Sequence, residues 1–396
     1  MKKLMVILPA AALAVGLAVA TAAFAGANKP ATAAASQAIN CYSQMKIAIV
    51  TPLTGGAGFI GNEQLTWAKF AVKNVAPKLG LKVQLITGDT PVEQGPAIAQ
   101  TLAQKFVADS KVVGIIGPAT SGAVVASSQT YFDAGMAHIS PSATRTSLTK
   151  GSPREATSAF FRVVPGDYIQ GPSDAKFMVS KGAKKVVILD FQEPYSQGLA
   201  EAADVTLKKA GVTTIRLSVP NTVTDFSSFV TRVPSDADFV FFPTQKPPDA
   251  QTFARQLVEQ GKRAVVFGGD GSNDPSTFKT PGAYVSNFAP DITGVATSKA
   301  LVDGWKKDNP GKTVGSFGPP AYGAVEVLLN AVKLACTAGK GTLADRRAIT
   351  KRVKQVRIKN WILGGEFRWS TKSNDPLNAK FYIFQIQSDG SYKLVG

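Results

Sequence analysis

The sequence has little of the residue types on which most catalytic and metal sites depend, with one histidine and two cysteines in 396 residues. The histidine, His138, lies in a short apolar run and is expected to be a core residue, which leaves no base for a nucleophilic serine. Neither a Gly-x-Ser-x-Gly elbow nor a Gly-x-x-x-x-Gly-Lys phosphate loop is present. Histidines, cysteines and carboxylates at metal-ligand spacing are also lacking. These absences predict a protein that is not an enzyme and that needs no cofactor or metal.

Acidic residues are also few, 27 against 44 basic ones, which gives a formal net charge of +17. An excess of this size can indicate a nucleic-acid partner or an anionic surface. Here most basic residues stand in scattered pairs such as Lys184-Lys185 and Lys306-Lys307, and one denser stretch covers residues 346–359. Pairs of this kind usually lie at the solvent-exposed ends of helices. We therefore expect no nucleic-acid partner, and the role of the charge stays open.

The N-terminus carries an apolar run, residues 4–20, between Lys2-Lys3 and the small-residue sequence Ala23-Phe24-Ala25. This pattern predicts a cleaved signal peptide over residues 1–25, and removing its two lysines leaves a net charge of +15. A membrane anchor is the alternative, and Pro9 and the cleavage site argue against it. We expect no later run to be apolar over the length that a membrane span needs. The mature protein is therefore expected to be exported, in the periplasm or another extracytoplasmic compartment.

The two cysteines are far apart in the chain, Cys41 before the first predicted strand and Cys336 near the end of a long predicted helix. An even number of cysteines in an oxidising compartment favours one disulfide. Two free buried thiols remain the alternative. A bridge would tie the start of the mature chain to a distant segment.

The chain shows a strand and helix rhythm from residue 45 onwards, after a leader at 26–44 that we expect to be disordered because it lacks periodicity. Nearly continuous apolar strands that alternate with amphipathic helices predict parallel sheets covered on both faces. The predicted fold class is therefore α/β, with two doubly wound sheets. The predicted strands are 47–50, 83–86, 112–116, 137–139, 161–164, 186–189, 214–219, 239–242, 264–267 and 284–288. After residue 270 the pattern changes to helices at 297–308, 320–338 and 343–356, and to antiparallel strand-like runs at 361–369 and 381–387.

Small polar residues follow several of these strands, at the sheet edge where α/β proteins bind ligands. Ser121 begins a helix and Thr144 is expected nearby, so both can donate hydrogen bonds to an anion. Asp270 follows a strand of the second series and can accept from a cation. Together they predict a site for a zwitterion. The alternatives are that Ser121 only caps its helix, that Asp270 only shapes a turn, and that Tyr195 is an ordinary aromatic residue at a helix start.

Seven segments in register make the chain similar to the periplasmic leucine/isoleucine/valine-binding proteins of ABC transporters. The resemblance covers residues 45–394 and implies a type I periplasmic-binding fold of two lobes joined by three hinge segments. It implies lobe 1 at 45–164 and 290–369 and lobe 2 at 165–289 and 370–396. The segments are KIAIVTPLTG, GIIGPATSGAVVASS, HISPSATRTSLT, FFRVVPGDYIQGPSDAKF, VVILDFQEPYSQGLA, TDFSSFVTRV and FGGDG.

The resemblance also implies a ligand site. Ser121 and Thr144 would bind the ligand carboxylate, the backbone of Ser142 and the carboxylate of Asp270 would take its ammonium group, and Tyr195 would close from the second lobe. Asp270 stands where the amino-acid binders often have Glu. The side-chain pocket would involve Ile60, Gln245 and Lys246, which depart from the pattern of aliphatic binders. For Lys246 the alternatives are an ion pair with an acidic ligand group and exposure to solvent.

The resemblance implies an extracytoplasmic solute-binding protein, a monomer, that delivers an amino acid or a similar small carboxylate to a membrane permease. Branched-chain amino acids, leucine among them, are the ligands that the family name suggests. A sensory protein of the same fold that signals to a membrane receptor is one alternative. A binder of aromatic acids, amides or urea is another.

Overall fold

A computed structural model describes residues 38–396. The expected signal peptide and most of the expected leader lie outside these residues. The strands are β1 (Ile39–Asn40), β2 (Met45–Thr51), β3 (Val83–Asp89), β4 (Val112–Ile116), β5 (His138–Ser140), β6 (Phe160–Arg162), β7 (Lys185–Phe191), β8 (Thr213–Val219), β9 (Phe239–Phe242), β10 (Val265–Gly268), β11 (Tyr284–Asn287), β12 (Thr342–Leu343), β13 (Tyr382–Ile386) and β14 (Tyr392–Leu394). The helices are α1 (Gly58–Val75), α2 (Pro96–Ala108), α3 (Ser121–Asp133), α4 (Asp167–Ser180), α5 (Pro194–Lys209), α6 (Ser227–Thr231), α7 (Pro247–Glu259), α8 (Lys299–Asp308), α9 (Gly318–Ala338) and α10 (Arg347–Val353).

The first sheet has the strand order β3-β2-β4-β5-β6, and all its pairs are parallel. The strands β2 and β4 are apolar along most of their length because both faces of the sheet are covered there. Ile47 and Ile49 face a core that includes α1 and α9, whereas Ala48 and Val50 face a second core with Phe106 of α2. The prediction of a parallel sheet covered on both faces is confirmed here.

The second sheet has the order β14-β13-β11-β10-β9-β7-β8. Its strands β7 to β11 are parallel, and β13 and β14 add an antiparallel edge. Phenylalanines fill one core of this sheet, where Phe191, Phe226, Phe242 and Phe253 meet at ring-centroid distances of 5.2–6.2 Å. The predicted α/β fold class is thus confirmed for both sheets.

Helix α9 is long and apolar enough to cross a membrane by length and composition, contrary to the expectation that no later run would be. Two thirds of its most apolar stretch is buried within the fold. It packs along α1, and Glu63 of α1 accepts a hydrogen bond from the backbone N–H of Phe317 at the start of α9. Burial raises the pKa of Glu63 to about 7. The apolar character of α9 is therefore that of a core helix.

The prediction of a disordered leader at 26–44 is wrong for its last residues, which lie within the described part of the chain. Ile39–Asn40 pairs with Thr342–Leu343 as a two-stranded antiparallel sheet. Cys41 forms a disulfide with Cys336, which confirms the predicted bridge over the alternative of free thiols. The disulfide and the strand pairing hold residues 39–41 in place. Their local sequence has no periodicity, so the prediction of a disordered leader did not take these long-range contacts into account.

The C-terminal strand predictions need one correction. Residues 361–369 do not form a strand, and only isolated bridges occur there, Ile358 with Phe367 and Trp369 with Pro376. Gly364 and Gly365 have φ of +98° and +71°, which turns the chain within the run. The predicted run at 381–387 is confirmed as β13, and its antiparallel partner is β14.

Candidate functional site

The loop after β4 places Ser121 at the edge of the first sheet. Gly117 has φ of +107°, and a Cβ there would overlap the carbonyl oxygen of Val50, so glycine is needed for the turn. Thr120, not Ser121, is the N-cap of α3, and its hydroxyl accepts from the N–H of Ala123 at 3.4 Å. The capping interpretation of Ser121 is therefore wrong. Its buried hydroxyl instead accepts from the backbone N–H of Arg145 at 3.2 Å.

Ser142 and Thr144 follow β5, the next strand of this sheet. The Ser142 hydroxyl donates to the carbonyl of Ala119 at 2.7 Å and accepts from the side chain of Gln64 at 2.8 Å. The same Gln64 accepts from Thr51 at the end of β2. The Thr144 hydroxyl is buried and has no hydrogen bond of normal geometry within residues 38–396. The two loops after β4 and β5 thus present buried hydroxyls at one edge, and the Thr144 hydroxyl lies by Asp167, whose pKa it lowers.

Tyr195 and Asp270 lie at the matching edge of the second sheet and contact each other. The Tyr195 hydroxyl donates to Asp270 Oδ1 at 2.8 Å and accepts from the N–H of Gly271 at 3.1 Å. Asp270 Oδ1 also accepts from the side chain of Gln170 at 2.8 Å. A Cβ at Gly269 would overlap the Tyr195 hydroxyl, which explains the glycine before Asp270. Asp270 therefore does more than shape a turn.

The electrostatics of these groups are governed by burial. Desolvation raises the pKa of Asp270 to about 6, against the hydrogen bonds from Gln170 and Tyr195 that lower it. Glu193 is the N-cap of α5, and its carboxylate accepts from the N–H groups of Tyr195 and Ser196 at 2.9 and 2.8 Å. Burial raises the pKa of Glu193 to about 7. This cap orients Tyr195 at the start of its helix.

Sequence reasoning missed the polar face of α4, which lies beside Asp270. Asp167, Gln170 and Asp174 are spaced i, i+3 and i+7, so they share one helix face, and all three are fully buried. Gln170 links Asp270 to Ser286 at 2.9 Å, and the Ser286 hydroxyl donates to Asp174 at 2.9 Å. Polar residues at helical spacing on a face that should be apolar were the signal in the sequence.

Arg145 connects the loops of the two sheets. Its backbone N–H contacts Ser121, while its guanidinium donates to the carbonyl of Pro194 at 2.6 Å and forms an ion pair with Glu155. A Cβ at Gly122 of α3 would also lie 3.5 Å from Pro194. The carboxyl ends of both sheets therefore meet around the buried polar groups.

Lys246 and Gln245 lie in the loop before α7, and both are buried. Lys246 Nζ is 2.7 Å from Asp249 Oδ2, donates to the carbonyl of Asn221 at 2.5 Å and lies over the ring of Phe191. The prediction that Lys246 points to solvent is therefore wrong, because its charge already has a partner inside the fold. Gln245 contributes a hydrogen bond that lowers the pKa of Glu193.

Ile60 is buried on α1, one turn before Gln64, in an apolar cluster with Val164, Phe288 and Phe317. His138 is fully buried, and its ring lies 2.9 Å from the hydroxyl of Ser128. Its pKa falls to about 3 because of burial, which confirms its expected place in the core.

The segment from Gly56 to Gly61 has the Gly-x-Gly-x-x-Gly spacing of a dinucleotide loop after β2. Packing accounts for this spacing, because a Cβ at Gly61 would overlap the carbonyl oxygen of Pro52. Asp89, the acidic residue at the end of the next strand, accepts from the N–H of Leu53 at 2.6 Å. The glycines thus allow α1 to approach its own loop, and we assign no nucleotide to them. Among residues 38–396 no group of histidine, cysteine and carboxylate side chains could hold a metal ion.

Two α/β sheets that meet at their carboxyl ends around buried hydroxyls and carboxylates define a ligand-binding protein of two lobes. The comparison with known families agrees with this class. The family model described as periplasmic binding protein matches residues 44–391. The chain belongs to that family.

Curated relatives support the assignment along most of the chain. The Leu/Ile/Val-binding protein BraC3 of Rhizobium johnstonii is 30% identical over 327 residues, which cover 79% of this chain and 84% of the relative. The Leu/Ile/Val-binding protein homolog 1 of Brucella suis is 26% identical and covers 90% of this chain and 94% of its own length.

Solved structures share the fold. The leucine-binding protein LivK of Thermotoga maritima has a TM-score of 0.79 at 22% identity, over 89% of this chain and 98% of that one. A solute-binding protein of R. palustris in complex with benzoate has a TM-score of 0.76 at 16% identity, over 89% of this chain and 96% of that one. Both pairs are too distant in sequence to show more than the fold.

Proposed function

We propose that this protein is the extracytoplasmic solute-binding component of an ABC importer and that it binds a zwitterionic amino acid between its two lobes. Family membership supports the binding role and the absence of enzymatic activity. The Leu/Ile/Val-binding relatives support an amino acid, and branched-chain amino acids in particular. The observation that carries the ligand class is the buried Asp270 carboxylate, held by Tyr195 and Gln170, opposite the hydroxyl loops of the other sheet.

In this proposal the two ends of the ligand bind to different lobes. The carboxylate binds at Ser121 and Thr144, where the N-terminus of α3 adds a favourable dipole of about 0.3–1 kcal/mol. The ammonium group binds at Asp270, with the backbone of Ser142 and the hydroxyl of Tyr195 completing the site. Ile60, Gln245 and Lys246 border the ligand side chain.

The lobes comprise residues 45–164 with 290–369 and residues 165–289 with 370–396, and they close on the ligand by a hinge. The protein acts as a monomer that is exported by a cleaved signal peptide and that passes its ligand to a membrane permease.

A ligand panel tests the proposal. The mature protein is heated with each of the twenty amino acids, and with benzoate, a fatty acid and urea, and its melting temperature is recorded. A ligand at a hundred times its Kd adds about 2.7 kcal/mol to the free energy of unfolding, so a true ligand gives a clear shift. A shift with at least one amino acid is expected. A shift only with carboxylates that lack an amine would contradict the role of Asp270, and no shift with any amino acid would refute the amino-acid proposal.

A further inference from the structure

Several buried acceptor atoms around Asp270 have no hydrogen bond of normal geometry within residues 38–396. They are both carboxylate oxygens of Asp167, Oε1 of Gln170, Oδ1 of Asp174 and the hydroxyl oxygen of Thr144, and of these the Thr144 hydroxyl lies close enough to Asp167 to lower the pKa of its carboxyl. These side chains are fully buried. Buried polar atoms are paired in almost all proteins, so a group of orphans at one place needs an explanation.

The charged neighbours of Asp167 are already engaged elsewhere. Arg162 forms an ion pair with Asp375 at 2.7 Å and donates to the carbonyl of Thr144 at 2.6 Å. Arg145 pairs with Glu155, as described above. Both arginines lower the pKa of Asp167 from a distance, and neither donates a hydrogen bond to it.

Gly198 of α5 lies next to the Asp167 carboxylate. A Cβ there would lie 3.4 Å from Asp167 Oδ2 and 2.9 Å from the Arg145 guanidinium, so a larger residue would displace the Arg145 side chain beside the carboxylate. The orphaned atoms are nearly all acceptors. A ligand group that pairs with these atoms must therefore supply several N–H or O–H donors. A positive charge on that group would also balance the charge of Asp167, which adds to that of Asp270.

We infer that Asp167 is a second carboxylate that binds the ligand, that it shares the ammonium group with Asp270, and that binding displaces protons from these two residues. The inference deepens the proposed function and rests on it. It narrows the ligand class to primary amines, since a group with three N–H donors satisfies Asp167 and Asp270 together. Carboxylates without an amine leave these acceptors unpaired.

The proton displacement follows from the charges that face Asp167. Its pKa is raised to about 7, by burial first and by Asp270 second, against the Thr144 hydroxyl, Arg162 and Arg145, which lower it. Asp174 has its pKa raised well above the ordinary value, mainly by burial. With Asp270 at about 6, the pair Asp167 and Asp270 holds about one proton in total at pH 6.5. An ammonium ion between them favours the ionised forms and expels that proton.

Isothermal titration calorimetry measures the displacement. The wild-type protein is titrated at pH 6.5, in two buffers of different ionisation enthalpy, with the amino acid that gives the largest shift in the panel. We expect release of about 0.5–1 proton per ligand at pH 6.5 and almost none at pH 8.5, where both carboxyls are already ionised. Asp167→Asn should weaken binding at least tenfold and reduce the release by half or more.

Glu326→Gln is the matched control. Burial raises the pKa of Glu326 on α9 to about 7 as well, but this residue lies away from the site, so the variant should retain the affinity and the proton release. Wild-type protein that binds an amine without releasing a proton at pH 6.5 overturns the inference, even if Asp167→Asn fails to fold. A folded Asp167→Asn with wild-type affinity and release overturns it too. Failure of every amine to bind instead refutes the proposed function itself.

Discussion

Replacing Asp270 by Asn should have two effects of opposite sign, a weaker ligand complex and a more stable free protein. The variant keeps an oxygen for Tyr195 and Gln170 but loses the charge that faces the ligand ammonium. A hydrogen bond to a charged group contributes about 1.5–3 kcal/mol, so Kd should rise about ten- to a hundredfold. The gain in stability comes from removing a carboxylate that is buried in the free protein.

The size of that gain follows from the pKa of Asp270. The folded state raises it from 3.8 to about 6, which corresponds to a cost of about 3 kcal/mol when the carboxyl is ionised. The unfolded chain loses its proton near pH 3.8 and the folded protein near pH 6, so this cost grows between those values and is constant above pH 6. The backbone N–H groups of Asp270 and Gly271 donate to the carboxylate, and they cannot donate to the amide nitrogen of Asn. This loss reduces the gain in the free energy of unfolding. We expect the free variant to be about 1–3 kcal/mol more stable at pH 7.5.

Urea unfolding of both proteins without ligand, at pH 7.5 and pH 4, measures this difference, and calorimetry with ligand measures Kd. The stability difference should be present at pH 7.5 and nearly vanish at pH 4. Glu326→Gln should also stabilise the free protein but should leave Kd unchanged, because its carboxyl is half-buried away from the site. A variant Asp270→Asn that is less stable at pH 7.5, or that binds the amino acid as tightly as wild type, would refute the reasoning.

Two further predictions concern geometry and the disulfide. Gly269→Ala should displace the Tyr195 hydroxyl and weaken ligand binding at least tenfold in a folded protein, whereas Gly294→Ala, whose Cβ meets no atom within 4 Å, should bind normally in the same titration. Equal affinities of the two variants would exclude a role for the Tyr195 position. Reduction of the Cys41–Cys336 bond, which spans 295 residues, should lower the free energy of unfolding by about 2–5 kcal/mol in urea and leave Kd unchanged, and a loss of binding on reduction would contradict this separation of stability from the site.

Much of the fold could be predicted from the sequence because the strands are short apolar runs with helices between them. The bounds of β4 and β9 match the predicted runs. Predictions failed where distant residues decide the local structure. Ile39–Asn40 is a strand only because Thr342–Leu343 pairs with it, and the local sequence does not indicate this partner.

The candidate site was only partly predictable. Tyr195 and Asp270 are brought into contact as their places after strands suggested, and the roles of Ser121, Ser142 and Thr144 toward a ligand stay predictions. Lys246 was misjudged because its partners, Asp249 and the Asn221 carbonyl, come from folded geometry that hydropathy does not encode. Asp167, Gln170 and Asp174 were overlooked, although their spacing places three polar groups on one buried helix face.

The position of α9 has a consequence for how the chain folds as it is made. The first sheet is complete in sequence at Arg162, but the apolar face that carries Val113 and Ile116 packs against Leu328 and its neighbours on α9. During synthesis α1 can cover only part of this face until the chain has reached residue 338, and the disulfide cannot form before Cys336 has been made. Assembly of the first sheet is therefore a late event that requires nearly the whole polypeptide, with a long exposure of apolar strands beforehand.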